Sequence, residues 1–247
     1  MGQKLKKEFC EIKVLLKSVP QVIFSFFILT LFVMNLLANK SLNIPISWLK
    51  LDAGYIISWF LFLTMDILTK HFGPKAATII SFLATGINLV LCLIMHLASI
   101  LPGMWGEAYL EGYEAVINNA LDKTFGGTWY VIVGSTVAFA VSSVANNFTN
   151  YAIGKAFKKN QNGFLAYSVR SYLSTAVSQF VDNLLFSMFV GHIFFGWSFR
   201  DCLFSAFVCM GVELLLEVFF SPIGYKVSEK WRKEKVGETY FEYIAKN

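Results

Sequence analysis

Residues 168–186 read SVRSYLSTAVSQFVDNLLF. The stretch lies inside a long apolar segment, yet it carries Arg170, Ser171, Ser174, Thr175, Ser178, Gln179, Asp182 and Asn183. Positions 171, 174/175, 178 and 182 are three or four apart, so a helix gathers them on one face. Leu173, Val177, Val181, Leu184 and Leu185 fall opposite. Hydrocarbon does not hold a carboxylate, carboxamides and a row of hydroxyls, because each unpaired polar group there costs several kcal/mol. The polar face is therefore expected to look into a helix bundle or a water-filled cavity. An ionisable residue inside a membrane is by default a functional-site hypothesis, and this face is the expected site.

The rest of the chain supports a membrane setting. Of 247 residues, 56% are hydrophobic, 17% aromatic and 15% charged, with a mean hydropathy of +0.57. An ordinary soluble domain is less apolar. The apolar residues fall into runs of about 20, the length that crosses ~30 Å of hydrocarbon. The expected fold class is an all-α membrane protein with six transmembrane helices in one compact bundle. Its spans are placed at 20–38, 53–70, 76–101, 129–153, 166–195 and 202–225. The first apolar run, 20–37, is too long for the core of a cleavable signal peptide.

Three domains follow. Residues 1–19 hold Lys4, Lys6, Lys7, Lys13 and Lys17, with Leu5, Phe9, Ile12 and Leu16 at helical spacing. They read as a basic amphipathic helix on the inner membrane surface. Residues 20–225 form the transmembrane domain and 226–247 a charged cytoplasmic tail. The 102–128 connection carries Trp105, Tyr109 and Tyr113 and reads as an interfacial partial helix or lid. Lys and Arg concentrate in the two termini, at 70–75 and at 155–170, leaving Lys40, Lys50, Lys123 and Arg200 on the other side. That bias puts both termini in the cytoplasm. The net charge of +5 follows this membrane pattern and does not point to nucleic acid.

Within the expected spans the acids are Asp66, Asp182, Glu213 and Glu217. Asp66 and Arg170 fall at similar cytoplasmic depth and are expected to form a gate or a bracing ion pair. Asp182 lies near mid-membrane beside Gln179 and Asn183, with Glu217 at comparable depth. Carboxylates accept, and carboxamides both donate and accept. Such a set suits a planar heterocycle with adjacent N–H donors and a carbonyl, as on a guanine-like edge. Asp182 bonded only to a neighbouring helix is the structural alternative. Glu213 either faces the same cavity or pairs with Asn146, and Asn147 and Asn150 stand near the end of the fourth span. Gly134, Ala138 and Ser142 recur every four residues, a spacing for close helix packing.

Several chemistries find no support. Cys10, Cys92, Cys202 and Cys209 form no C-x-x-C pair, and no metal cluster with histidine is expected. There is no phosphate-binding G-x-x-x-x-G-K-[ST] motif, no G-x-S-x-G and no H-E-x-x-H. No enzymatic activity and no cofactor are expected.

Three motifs resemble those of one family. FLFLTMDILTKHFGPKAA (60–77) places an Asp before a basic residue and an aromatic-Gly turn. The opening stretch supplies an Arg, a Ser-Thr pair, a Gln and an Asp ahead of a Phe. EVFFSPIGYKV (217–227) ends on Glu-x-x-x-x-Pro-x-x-Tyr. Together they resemble the VUT family of six-span inner-membrane proteins, known as queuosine precursor transporters. The resemblance implies uptake of a 7-deazaguanine (preQ0, preQ1 or the queuine base) for transfer-RNA modification, across the cytoplasmic membrane. By position it implicates Asp66, Arg170, Ser174, Thr175, Gln179, Asp182 and Glu217, and more loosely Asn147 and Asn150. Glu213 departs from the pattern, where a basic residue is common. The expected partners are the small substrate and lipid, with a homo-oligomer or an energising partner left open. Two other readings stand beside it: a substrate-binding subunit of an ATP-driven vitamin importer, and a membrane scaffold without a small ligand.

Overall fold

A chain this apolar satisfies its backbone away from water by coiling into helix. The computed structural model describes residues 2–106, 111–156 and 164–246, which are helical apart from short connections. The helices are α1 (Gly2–Ser18), α2 (Gln21–Leu37), α3 (Tyr55–Phe72), α4 (Pro74–Ile100), α5 (Glu114–Gly127), α6 (Trp129–Ala156), α7 (Phe164–Phe186), α8 (Ile193–Phe195), α9 (Phe199–Lys233) and α10 (Glu238–Lys246). A π-helical turn, Ser187–His192, joins α7 to α8.

Each run expected as a span is helical. Among the described residues, four stretches are long and apolar enough to cross a membrane: Pro74–Ile100, Glu114–Ser142, Tyr172–Phe195 and Phe199–Phe220. A fifth arises if α1 and α2, bent by 102° at their junction, act as one span. α2 has 17 residues, which at 1.5 Å each rise roughly 25 Å. The apolar part of α3 is shorter still, Tyr55–Thr69. Helix length alone therefore supports four to five crossings. α4 leaves Phe82, Val90, Leu93, Ile94 and Leu97 exposed, the surface a lipid-facing helix presents and a soluble one avoids. The 102–128 connection contains α5, which runs into α6 through Thr128 in helical conformation (φ −60°, ψ −16°).

The residues group into two compact units. The first comprises 1–33, 57–88 and 217–247. Here Phe72, at the end of α3, is buried against Trp231 of α9 and Tyr240 and Phe241 of α10, with ring centroids 5.8–6.2 Å apart. The turn between α9 and α10 brings Gly237 (φ 82°) under the Phe72 ring, where a β-carbon would collide. Only glycine meets both demands. His71 Nε2 lies 2.8 Å from the Val236 carbonyl oxygen of that turn. Glu11 of α1 is buried and pairs with Lys75 of α4 at 2.7 Å. The segment after 225, expected as a charged tail, is the end of α9 followed by α10. α10 folds back on α1, and the Tyr243 hydroxyl donates to the Lys7 carbonyl at 3.3 Å.

The second unit comprises 34–56 and 89–216. α6 packs along α7, and Gly134, Ala138 and Ser142 are all buried, as their spacing led one to expect. A β-carbon on Gly134 would strike Val190, so the small residues set how closely the chains approach. Ala38, Val131 and Val190 form a core flanked by Tyr130, Phe186 and Phe195. Asn39 ties the unit together: its amide donates to Thr128 Oγ1 at 2.9 Å and its oxygen accepts from the Tyr130 hydroxyl at 3.0 Å. A π-turn disturbs the regular backbone ladder, and the Ser187 carbonyl is taken by the Cys202 thiol at 3.2 Å.

Candidate functional site

The site is built within the second unit from three pieces of chain. The first is the connection into α3. Paired backbone bonds, Leu42 N–H to Leu51 O and Ala53 N–H to Lys40 O, both 2.8 Å, close it into a narrow loop. The Lys50 N–H donates to Ser205 Oγ of α9 at 3.1 Å, and Trp48 packs on Phe204 with centroids 5.8 Å apart. This anchoring fixes Asp52 and Tyr55. Asp52 is 4% exposed, and its Oδ1 accepts the Gly54 N–H at 2.7 Å. Burial pushes the Asp52 carboxyl up to about 7, against the opposing pull of that N–H.

The second piece is α9, where Ser205, Cys209 and Glu213 recur every four residues and are all buried. Ser205 holds the loop, the Cys209 thiol meets the Tyr55 hydroxyl, and Glu213 faces α7. The third is α7. The Asn183 amide donates to Glu213 Oε2 at 2.7 Å and to the Gln179 carbonyl at 2.9 Å. Its oxygen accepts from the Tyr55 hydroxyl. Asn183 is thus saturated by protein partners and acts as a clamp on Glu213, rather than as a group left free for a ligand. Ser142 of α6 donates to Asp182 Oδ1 at 3.0 Å, and Ser178 donates to the Ser142 carbonyl at 3.2 Å.

Gln179 differs from all of these. Its side chain is 4% exposed, yet neither Nε2 nor Oε1 has a hydrogen-bond partner. A buried carboxamide left this way costs about 1–3 kcal/mol. It lies one helical turn before Asn183, on the same face of α7. Ser174 is buried nearby on the helix and Thr175 is partly exposed. The charges of Asp182 and Asp52 both act on Glu213, so the three carboxyls share one neighbourhood. No Lys, Arg or His pairs with any of them among the described residues. No His, Cys, Asp or Glu group there has the arrangement of a metal site either.

Of the residues read from sequence, Ser178, Gln179, Asp182, Asn183 and Glu213 come together here. The side chains of Asp66, Arg170, Asn146, Asn147, Asn150 and Glu217 lie outside the described residues. Sequence reasoning missed Asp52, Tyr55, Ser142 and Cys209. Asp52 sits one residue before the expected second span, and Tyr55 reads as one more interfacial aromatic. The four-residue recurrence of Ser205, Cys209 and Glu213 on α9 was a legible signal. Two open grooves lie elsewhere, one along Tyr225, Lys226, Glu229 and Lys230, the other lined by Leu89, Cys92, His96 and Trp129. Neither contains an orphaned buried polar atom.

The family described as "Putative vitamin uptake transporter" matches residues 52–227, well over half of the 247. The chain belongs to this family. The match begins at Asp52 and encloses every member of the cluster. As a chain of the vitamin uptake transporter family, with four helical stretches able to cross a membrane, it is a multi-pass membrane protein of a transporter class. No curated protein and no solved structure matches it.

Proposed function

We propose that the protein takes up a queuosine precursor, one of the 7-deazaguanines preQ0, preQ1 or queuine, across the cytoplasmic membrane. In this reading six helices cross, both termini are cytoplasmic, and the cluster on α7 and α9 is the substrate site. The observation that carries it is the Gln179 carboxamide, buried and without a partner on either polar atom. A folded protein rarely leaves such a group unpaired unless something else meets it. A planar amide edge is matched by a heterocycle presenting an N–H beside a carbonyl or ring nitrogen. Asp182 and Glu213 supply acceptors for further N–H donors, and Asn183 with Tyr55 holds Glu213 in place. The transporter family and the three motifs around Asp66, Asp182 and Glu217 support the same direction.

Thermal stabilisation of the purified protein tests this, since a ligand of the native state raises its stability by mass action. preQ0, preQ1, queuine, guanine and several vitamins are added singly. A shift with deazaguanines, lost in Asp182→Ala, is expected. A shift with a vitamin alone keeps the transporter and replaces the substrate. If purified protein binds a deazaguanine but moves none of it into liposomes, a partner supplies the energy.

A further inference from the structure

Among the described residues, no Lys, Arg or His pairs with Asp182, Glu213 or Asp52. Asp182 comes from α7, Glu213 from α9 and Asp52 from the connection into α3, and the charges of Asp182 and Asp52 both reach Glu213. The groups that face them are Ser142, Tyr55, Asn183 and Cys209. None is basic. The Lys50 backbone N–H donates to Ser205, and Lys40 is exposed. The other unit contrasts directly, since its buried acid Glu11 has Lys75 at 2.7 Å. Buried charges are paired or neutralised as a rule.

Acidic residues in a group do not make a site unaided. Gln179 is the independent observation: a carboxamide 4% exposed, on the α7 face that carries Asp182 and Asn183, with both polar atoms unpartnered. An amide edge asks for a planar donor–acceptor ligand. Three acids ask for a positive charge on it.

We infer that the site takes a cationic ligand, a planar base bearing an ammonium group, whose charge is met by Glu213, Asp182 and Asp52. The inference rests on the proposed function for the identity of the base but not for its charge. Among the queuosine precursors it selects preQ1 and queuine, which carry a basic amine, over the nitrile preQ0. Charge-assisted hydrogen bonds are roughly twice as strong as neutral ones. Their net worth corresponds to about a tenfold to hundredfold preference in Kd.

Calorimetric titration of the full chain in nanodiscs tests this with two matched pairs, preQ1 against preQ0 and pyridoxamine against pyridoxine. The expected result is preQ1 binding about tenfold to hundredfold tighter than preQ0, with the gap closed in Glu213→Gln. A second variant, Asp52→Asn, is expected to narrow the gap, and it carries the test if Glu213→Gln shows no cooperative melt. If no deazaguanine binds but pyridoxamine outbinds pyridoxine with the same Glu213 dependence, the substrate reading fails and the cation site stands. Equal binding within a pair, or a neutral ligand bound together with a proton, overturns the inference. So does a preference that survives both substitutions. Absence of binding by all four compounds overturns the inference, and absence of queuine binding as well overturns the substrate reading.

Discussion

Each unit buries acidic and hydrogen-bonding side chains, but the two dispose of them differently. In the first, Glu11 has Lys75 and His71 has the Val236 carbonyl, while a cage of aromatic rings around Phe72 excludes water. Its buried atoms without a hydrogen bond are single oxygens, Glu11 Oε1 and Asn88 Oδ1, and no buried carboxamide there lacks partners on both atoms among the described residues. In the second, Glu213 is clamped by a neutral amide, Asp52 is held by a backbone N–H, and Gln179 is held by nothing. A buried acid with its cation is explained by folding alone. One without it has a cost that folding does not account for, and such sites are where function is sought.

The largest expected effect breaks the first unit. Phe72→Ala removes the ring at the centre of the aromatic cage and leaves a cavity, which costs about 3–5 kcal/mol. The melting temperature in detergent is expected to drop sharply. Ligand affinity at low temperature, where the protein remains folded, is expected to stay unchanged. A loss of affinity in the folded variant would show that the units are not separable in function.

Asp52 gives the next effect, and its sign is opposite to that of an ion-paired acid. Burial raises its carboxyl from 3.8 to about 7. Below both values the folded and unfolded chains each keep the proton. Between them only the folded chain keeps it, so stability falls as pH rises from about 4 to about 7, then levels off. The shift bounds the fall at roughly 4 kcal/mol. Asp52→Asn keeps an acceptor for the Gly54 N–H and has nothing to titrate. Melting curves across this range are expected to slope less in the variant than in the wild type, and parallel curves would refute the assignment.

Gln179→Met separates the two roles of a residue in one protein. The substitution keeps an unbranched side chain of similar length and deletes the unpartnered amide, which relieves about 1–3 kcal/mol. The variant is expected to melt higher and to bind its ligand roughly tenfold to hundredfold more weakly. Stability gained at the expense of function is the signature of a working polar group. A variant that melts lower and binds normally would make Gln179 part of the frame.

What the sequence disclosed follows the same division. The α7 face was legible because hydroxyls, an amide and an acid at helical spacing contradict an apolar segment. Glu213 was legible as an acid within an apolar run. The small residues of α6 announced close packing, but not that Ser142 would hold Asp182. Asp52 and Tyr55 reach the site through the loop tied to Ser205, a long-range pairing that leaves no periodicity behind. The end of the chain was read as a tail because its charges are dense. α10 owes its place to Phe72 and to the tight turn at Gly237, and these are tertiary facts. Helix length also mattered: α2 is too short to settle a crossing by itself, whatever its hydropathy.

The smallest effect sharpens the comparison from the side of the first unit. Lys75 is 68% exposed while Glu11 is 7% exposed, so water screens one half of the pair. Lys75→Ala is accordingly expected to cost only about 1 kcal/mol. The loss comes mostly from leaving the Glu11 carboxylate without its cation, and this fixes what the double variant does. Adding Glu11→Gln removes the stranded charge, so Lys75→Ala with Glu11→Gln is expected to recover most of the lost stability, and a double-mutant cycle on melting data measures the coupling. If the double variant is instead worse by the sum of both changes, Glu11 is not held by charge, and the contrast with the unpaired acids of the second unit loses its basis.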